Sequence, residues 1–145
     1  MDTGTVVFRL VVAIVMGGTV GLERSLRNKP AGLRTHLLVG LGSALIMLIS
    51  IFMGEAFPGR AVDPTRIAAG VVVGLGFLGG GTIVHMGASI HGLTTAASLW
   101  ATGAIGLAVG CGFYAGAAVA WLAMLFALHS LDQIERDLIK GRPRG

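Results

Sequence analysis

The sequence predicts an all-α, polytopic membrane helix bundle, and three observations carry that prediction. Of 145 residues, 54% are hydrophobic and 12% are charged, about half the roughly 25% charge of a soluble domain. A water-soluble globule of this length has too little interior to hide so much apolar surface. The apolar residues also fall in runs long enough to cross a bilayer, which takes about 20 residues each. The third signal is glycine: there are 24, well above an average share of about 7%. They show no Gly-X-Y period, so collagen is excluded and closely approaching helices are expected instead.

The first span covers about Thr5 to Leu22. It follows Asp2, lacks a basic leading segment and an A-x-A site, and reads as a retained helix rather than a signal peptide. The second covers about Leu37 to Gly54 and the third Ile67 to Val84. Ahead of the third, Asp63-Pro64 has the pattern of a helix start, with a carboxylate at the N-cap and proline at the first helical position. From Leu93 to Leu128 the apolar stretch is too long for one helix. A break at Gly110-Cys111-Gly112 yields a fourth span of Leu93 to Gly110 and a fifth of Phe113 to Leu128. Residues 1–130 therefore form one transmembrane domain, and 131–145 form a short tail. In that tail Leu131, Ile134 and Leu138 make a narrow apolar stripe that continues the fifth helix out of the bilayer.

Charge placement fixes the expected topology. The formal net charge is +4, but the cations do not form a nucleic-acid surface. They gather in two clusters flanking apolar runs: Arg24, Arg27, Lys29 and Arg34, then Arg136, Lys140, Arg142 and Arg144. That is the distribution of topology determinants and lipid-headgroup contacts. Five spans with the N-terminus outside place both clusters on the cytoplasmic side and leave Arg60 and Arg66 outside; four spans would separate the clusters. The single cysteine, Cys111, rules out an internal disulfide.

A parallel internal repeat is suggested by Gly32-Leu33-Arg34-Thr35 returning as Gly92-Leu93-Thr94-Thr95, and by Gly17-Gly18-Thr19-Val20 beside Gly80-Gly81-Thr82-Ile83. Chance matching in Gly/Leu-rich sequence is the other account. Glycine pairs spaced by four share a helix face, and small faces carry helix packing in lipid. Such pairs are Gly17/Gly21, Gly70/Gly74, Gly76/Gly80, Gly106/Gly110 and Gly112/Gly116. The third span is densest in glycine, so it is expected at the bundle centre. Its Gly79-Gly80-Gly81 run could also be unwound backbone lining a site.

Charge at membrane depth is costly and therefore informative. Arg9 is expected to snorkel to the outer headgroups. Glu23 closes the first span, and a Glu23–Arg34 pair would staple the first hairpin, either structurally or as part of a ligand site. Glu55 and Asp63 are weak candidates for Mg²⁺, which prefers one or two carboxylates and retained waters; the cap role accounts for Asp63 without it. Loop positions account for His36, His85, His91 and His129, with metal binding or pH sensing as the alternative. Trp100, Trp121 and Tyr114 read as interface or bundle anchors, and the methionines and Cys111 as packing. The hydroxyls of Ser98 and Thr102 are expected on backbone or neighbouring helices. No nucleophile elbow, H-E-x-x-H or P-loop occurs, so the expectation is not an enzyme, and no cofactor is implied.

Several segments taken in order resemble the MgtC/SapB family of bacterial inner-membrane proteins. They are Gly21-Leu22-Glu23-Arg24, Lys29-Pro30-Ala31-Gly32-Leu33-Arg34-Thr35-His36, Pro64-Thr65-Arg66-Ile67-Ala68-Ala69, Gly74-Leu75-Gly76-Phe77-Leu78-Gly79, Gly92-Leu93-Thr94-Thr95-Ala96-Ala97-Ser98-Leu99-Trp100 and Ala104-Ile105-Gly106. The resemblance implies a small helical inner-membrane domain linked with magnesium limitation and, in some bacteria, virulence. It also implies action through other membrane proteins, the ATP synthase among them, in some members. The family's recurrent polar positions map onto Glu23, Arg24, Arg34, Thr35, Asp63, Arg66, Thr94 and Thr95. Two departures stand out: many relatives have Gln where this chain has Gly70, and many continue into a soluble cytoplasmic domain beyond the equivalent of Gly145. Two functions follow as expectations: a regulatory, partner-binding membrane protein or homo-oligomer, and a small transporter or channel for Mg²⁺ or another solute.

Overall fold

The computed structural model describes residues 1–57 and 63–131. The tail stripe beyond Leu131, the second basic cluster and Arg60 lie outside the described residues. Five helices run α1 (Thr3–Leu26), α2 (Leu33–Ala56), α3 (Pro64–Gly80), α4 (Leu93–Cys111) and α5 (Tyr114–Phe126), the last passing into a single π-turn over Ala127–Leu131. A two-stranded hairpin, β1 (Val84–Met86) and β2 (Ser89–His91), joins α3 to α4. By length and composition α1, α2, α4 and α5 with its π-turn can each cross a membrane, while α3 is a shorter apolar helix.

Helix boundaries follow local chemistry. Asp2 caps α1 by accepting from the Thr5 N–H at 3.1 Å, and Asp63 caps α3 from the Thr65 N–H at 2.8 Å with Pro64 in the first turn. The α1–α2 turn bends at Asn28, whose φ of 54° is the left-handed region that asparagine tolerates. Gly112, at φ 87°, closes α4, and its N–H bonds back to Val109 O at 3.0 Å.

The third apolar run ends earlier than Val84. Gly79-Gly80-Gly81 releases the helix into a turn in which the Thr82 N–H bonds Gly79 O and the Ile83 N–H bonds Gly80 O. Beyond it the chain pairs as two short strands, in the register Val84↔His91, His85↔Ile90 and Met86↔Ser89.

The centre belongs to α4, which packs on every other helix, whereas α3 packs on α2 and α4 at one edge. This differs from the central third span expected on glycine density. Among the described residues of α3 only Val71, Leu75 and Gly79 are buried, one residue per turn on a single face. A Cβ at Gly70, Gly74, Gly76 or Gly80 would meet nothing within 4 Å. The close approaches lie elsewhere: a Cβ would stand 2.5 Å from Gly40 O at Gly106, 2.7 Å from Ala44 O at Gly110, and 2.6 Å from His36 O at Gly17. Around them Ala13, Ala44, Ile105, Val109 and Ala117 form the apolar core. The Trp121 indole N–H reaches the Thr19 hydroxyl at 2.9 Å, tying α5 to α1.

Candidate functional site: the polar end of the bundle

Six chain segments converge at one end: the close of α1, the start of α2, the close of α3 with the hairpin, the start of α4, and the π-turn after α5. Arg24 lies at their junction, 2% exposed. Its Nη2 donates to Glu23 Oε1 at 2.9 Å and to Leu128 O at 3.1 Å, and its Nε also donates to Glu23. Arg27, one turn on, lies 2.7 Å from Glu23 Oε1 and donates to His129 O at 3.0 Å. One carboxylate thus pairs with two guanidiniums, leaving a net positive charge. The guanidiniums in turn donate to two carbonyls of the π-turn, Leu128 O and His129 O.

His36 is fully buried beside this junction. Its Nδ1 lies 3.0 Å from Gly32 O, and its Nε2 lies 3.0 Å from Ser98 Oγ across the α2–α4 contact. Since Gly32 O can only accept, the imidazole proton belongs on Nδ1, and the Ser98 hydroxyl can turn between His36 Nε2 and Thr95 O, 2.8 Å away. The Thr102 hydroxyl, one turn deeper, donates to Ser98 O. Every buried side-chain polar atom among the described residues has a partner or an accessible surface.

The eight polar positions taken from the resemblance do not form one cluster. Glu23, Arg24 and Thr95 lie at the junction, and Arg34, Thr35 and Thr94 line clefts around Lys29-Pro30 at the same end. Asp63 and Arg66 begin α3 at the opposite end. The expected Glu23–Arg34 staple is absent: Glu23 pairs with Arg24 and Arg27, and Arg34 is exposed without an ion pair among the described residues. The two weak metal candidates have separate partners, the Met1 ammonium at 2.9 Å for Glu55 and Thr65 for Asp63. No group of three His, Cys, Asp or Glu gathers as a metal site among the described residues. Hydrogen bonds from the Thr65 N–H and hydroxyl hold the Asp63 carboxyl below its ordinary value of 3.8.

Sequence reasoning missed three things. Arg9 has partners within the bundle: its Nη1 donates to Gly110 O at 2.8 Å and its Nε to the Tyr114 hydroxyl at 3.2 Å, so a cation sits on the C-terminal end of α4. Arg27 completes the Glu23 cluster, and its i, i+4 spacing from Glu23 was a readable signal. His36 falls inside a segment that carries the resemblance, but nothing local distinguishes a buried histidine from a loop one.

An apolar bundle whose ionic groups collect at its ends is an integral membrane protein. The chain matches the MgtC family over residues 10–137 and belongs to it. It is 47% identical over 116 residues to the Escherichia coli K12 protein named "Putative magnesium transporter YhiD", covering 77% of this chain and 54% of that one. It is 35% identical over 137 residues to Protein SapB of Bacillus subtilis, covering 92% and 59%. With Protein MgtC of Brucella abortus it shares 43% over 112 residues, covering 77% and 44%. The chain thus spans about half the length of the curated relatives it matches. No solved structure matches.

Proposed function

We propose that this protein is a regulatory, partner-binding component of magnesium homeostasis in the bacterial inner membrane, with its N-terminus outside and its polar end in the cytoplasm. The single observation that carries the reading is the open face of α3. Val73 and Phe77 are 75% and 87% exposed, and Gly70 and Gly74 line a cleft of about 590 Å³ between α2 and α3. Lipid gives apolar helices no solvophobic reason to associate, so exposed small residues serve close contact with another helix. Ser43 in the same cleft is 3% exposed, and its hydroxyl has no hydrogen bond among the described residues. An incoming helix finds both a smooth groove and a polar anchor there. The occupant is another membrane protein, for which the resemblance suggests the ATP synthase, or a second copy. The basic α1–α2 turn supports the cytoplasmic placement, and the name of the E. coli relative supports the magnesium link.

In cells, a Gly74→Cys variant in a Cys111→Ser background is expected to give crosslinked adducts, while Val119→Cys, also exposed but on α5, gives none. Equal crosslinking at both positions removes the reading. The second reading, Mg²⁺ movement, is favoured by that relative's name. Proteoliposomes decide it: the regulatory reading expects uptake no higher than in empty vesicles, and uptake that Glu23→Gln abolishes would replace it.

A further inference from the structure

Beside the arginine junction lies a cleft of about 380 Å³ walled by Lys29, Pro30, His91, Thr94 and Thr95. We propose that it binds a phosphate-type anion, a role independent of the α3 face.

The first line of argument is the start of α4. Asp2 and Asp63 cap α1 and α3 with carboxylates, whereas α4, like α2 and α5, starts with no side-chain cap. Among the described residues nothing accepts the Leu93, Thr94 or Thr95 N–H. Three donors therefore point out of a helix end that carries partial positive charge.

The second, independent line is Thr95. It is 3% exposed, yet its hydroxyl has no hydrogen bond among the described residues, and it forms part of the cleft wall. The hydroxyls of Ser98 and Thr102, one and two turns deeper, are both turned onto backbone carbonyls. The Thr95 hydroxyl therefore keeps its accessible surface and its donor free, and a ligand oxygen in the cleft can take it.

Charge selects the ligand. Glu23 pairs with Arg24 and Arg27, whereas Lys29 has no ion pair among the described residues, nor has Arg34 in the adjoining cleft that shares Lys29 and Pro30. No carboxylate lines either cleft, so a cation finds no negative charge there. A tetrahedral oxyanion matches a fan of N–H groups, a hydroxyl and an ammonium. The volume leaves room for the substituent of a phosphate ester. That phosphate can belong to an anionic lipid headgroup, which lies at this depth, or to a soluble compound.

The test uses the whole chain in neutral detergent and follows ³¹P line-broadening. Inorganic phosphate is the soluble probe; phosphatidylglycerol in mixed micelles, against phosphatidylcholine, is the lipid probe. Broadening of inorganic phosphate assigns a soluble ligand, and broadening of phosphatidylglycerol alone assigns the headgroup. Thr95→Val and Lys29→Gln are each expected to weaken binding about tenfold or more, and Thr95→Ser to retain it. Should Thr95→Val not fold, as judged by its melting temperature, Lys29→Gln on the α1–α2 turn decides alone. Failure of both probes to broaden, or affinities in the variants equal to the parent's, overturns the proposal.

Discussion

Arg24 shows how a single residue holds this fold. Its guanidinium is out of contact with solvent and spans α1 and the end of α5 through Leu128 O. Arg24→Ala leaves Glu23 paired with Arg27 but loses the charged hydrogen bond to Leu128 O, worth about 1.5–3 kcal/mol, and empties a buried site. Arg24→Ala is therefore expected to lower the melting temperature in detergent sharply. Arg24→Lys should rescue little of it, because an ammonium cannot reproduce the forked contact with Glu23 and the carbonyl together. Arg34→Ala, outside any ion pair among the described residues, should melt like the parent; equal loss at both positions would show that the junction is not what matters. Asp63 carries a pH prediction. Its carboxyl is held low by Thr65 in the folded protein, so its cap contribution is whole above the ordinary 3.8 and is lost as pH falls through the lowered value. A carboxyl ¹³C titration should give a midpoint below 3.8, and Thr65→Val should move it back up.

Among the elements, α3 and α4 divide glycine's two uses in a membrane. In α4, Gly106 and Gly110 let α2 approach so closely that a methyl group would press on its carbonyls. Gly106→Ala is expected to cost about 1–3 kcal/mol through overpacking. Gly74→Ala, with open space around it, should leave the melting temperature unlowered while reducing crosslinking through the α3 face. A Gly74→Ala variant that melts as early as Gly106→Ala would place α3 in the core after all. The same contrast shows what the sequence could and could not reveal. Runs of apolar residues marked all five helices, because length and hydropathy are local properties, and Asp63-Pro64 marked the start of α3 by cap chemistry. Counting glycines could not say which helix is central, since a glycine facing lipid and one facing a carbonyl read alike. The hairpin was hidden because Ile83 and Val84 prolong the third apolar run. The His36–Ser98 contact joins residues 62 positions apart, and no local pattern announces it.

At the scale of the whole molecule, four helices are long and apolar enough to cross a bilayer, and the contacts support the expectation that the shorter α3 is a fifth crossing. Arg24 and Leu128 place the ends of α1 and α5 on one side, and His36 and Ser98 place the starts of α2 and α4 on that same side. Met1 and Glu55 place the start of α1 with the close of α2 on the other, where Arg9 and Gly110 also bring the close of α4. The chain leaves α2 on the second side and must enter α4 on the first, so the segment between them has to traverse. Only α3 is available to do so. Its 17 residues rise about 25 Å at about 1.5 Å each, short of a hydrocarbon core of about 30 Å, and mismatch of a few ångströms is met by local thinning at modest cost. Two measurements follow. Single cysteines replacing Asn28 and Ser89 in a Cys111→Ser background should be labelled from one side of intact cells or spheroplasts, and one replacing Thr65 from the other; labelling of Asn28→Cys and Ser89→Cys from opposite sides would contradict the five-crossing arrangement. Reconstitution into lipids with shorter acyl chains should raise the melting temperature if α3 sets the preferred thickness, because the four longer helices accommodate a thin bilayer by tilting, whereas a short helix cannot lengthen to match a thick one.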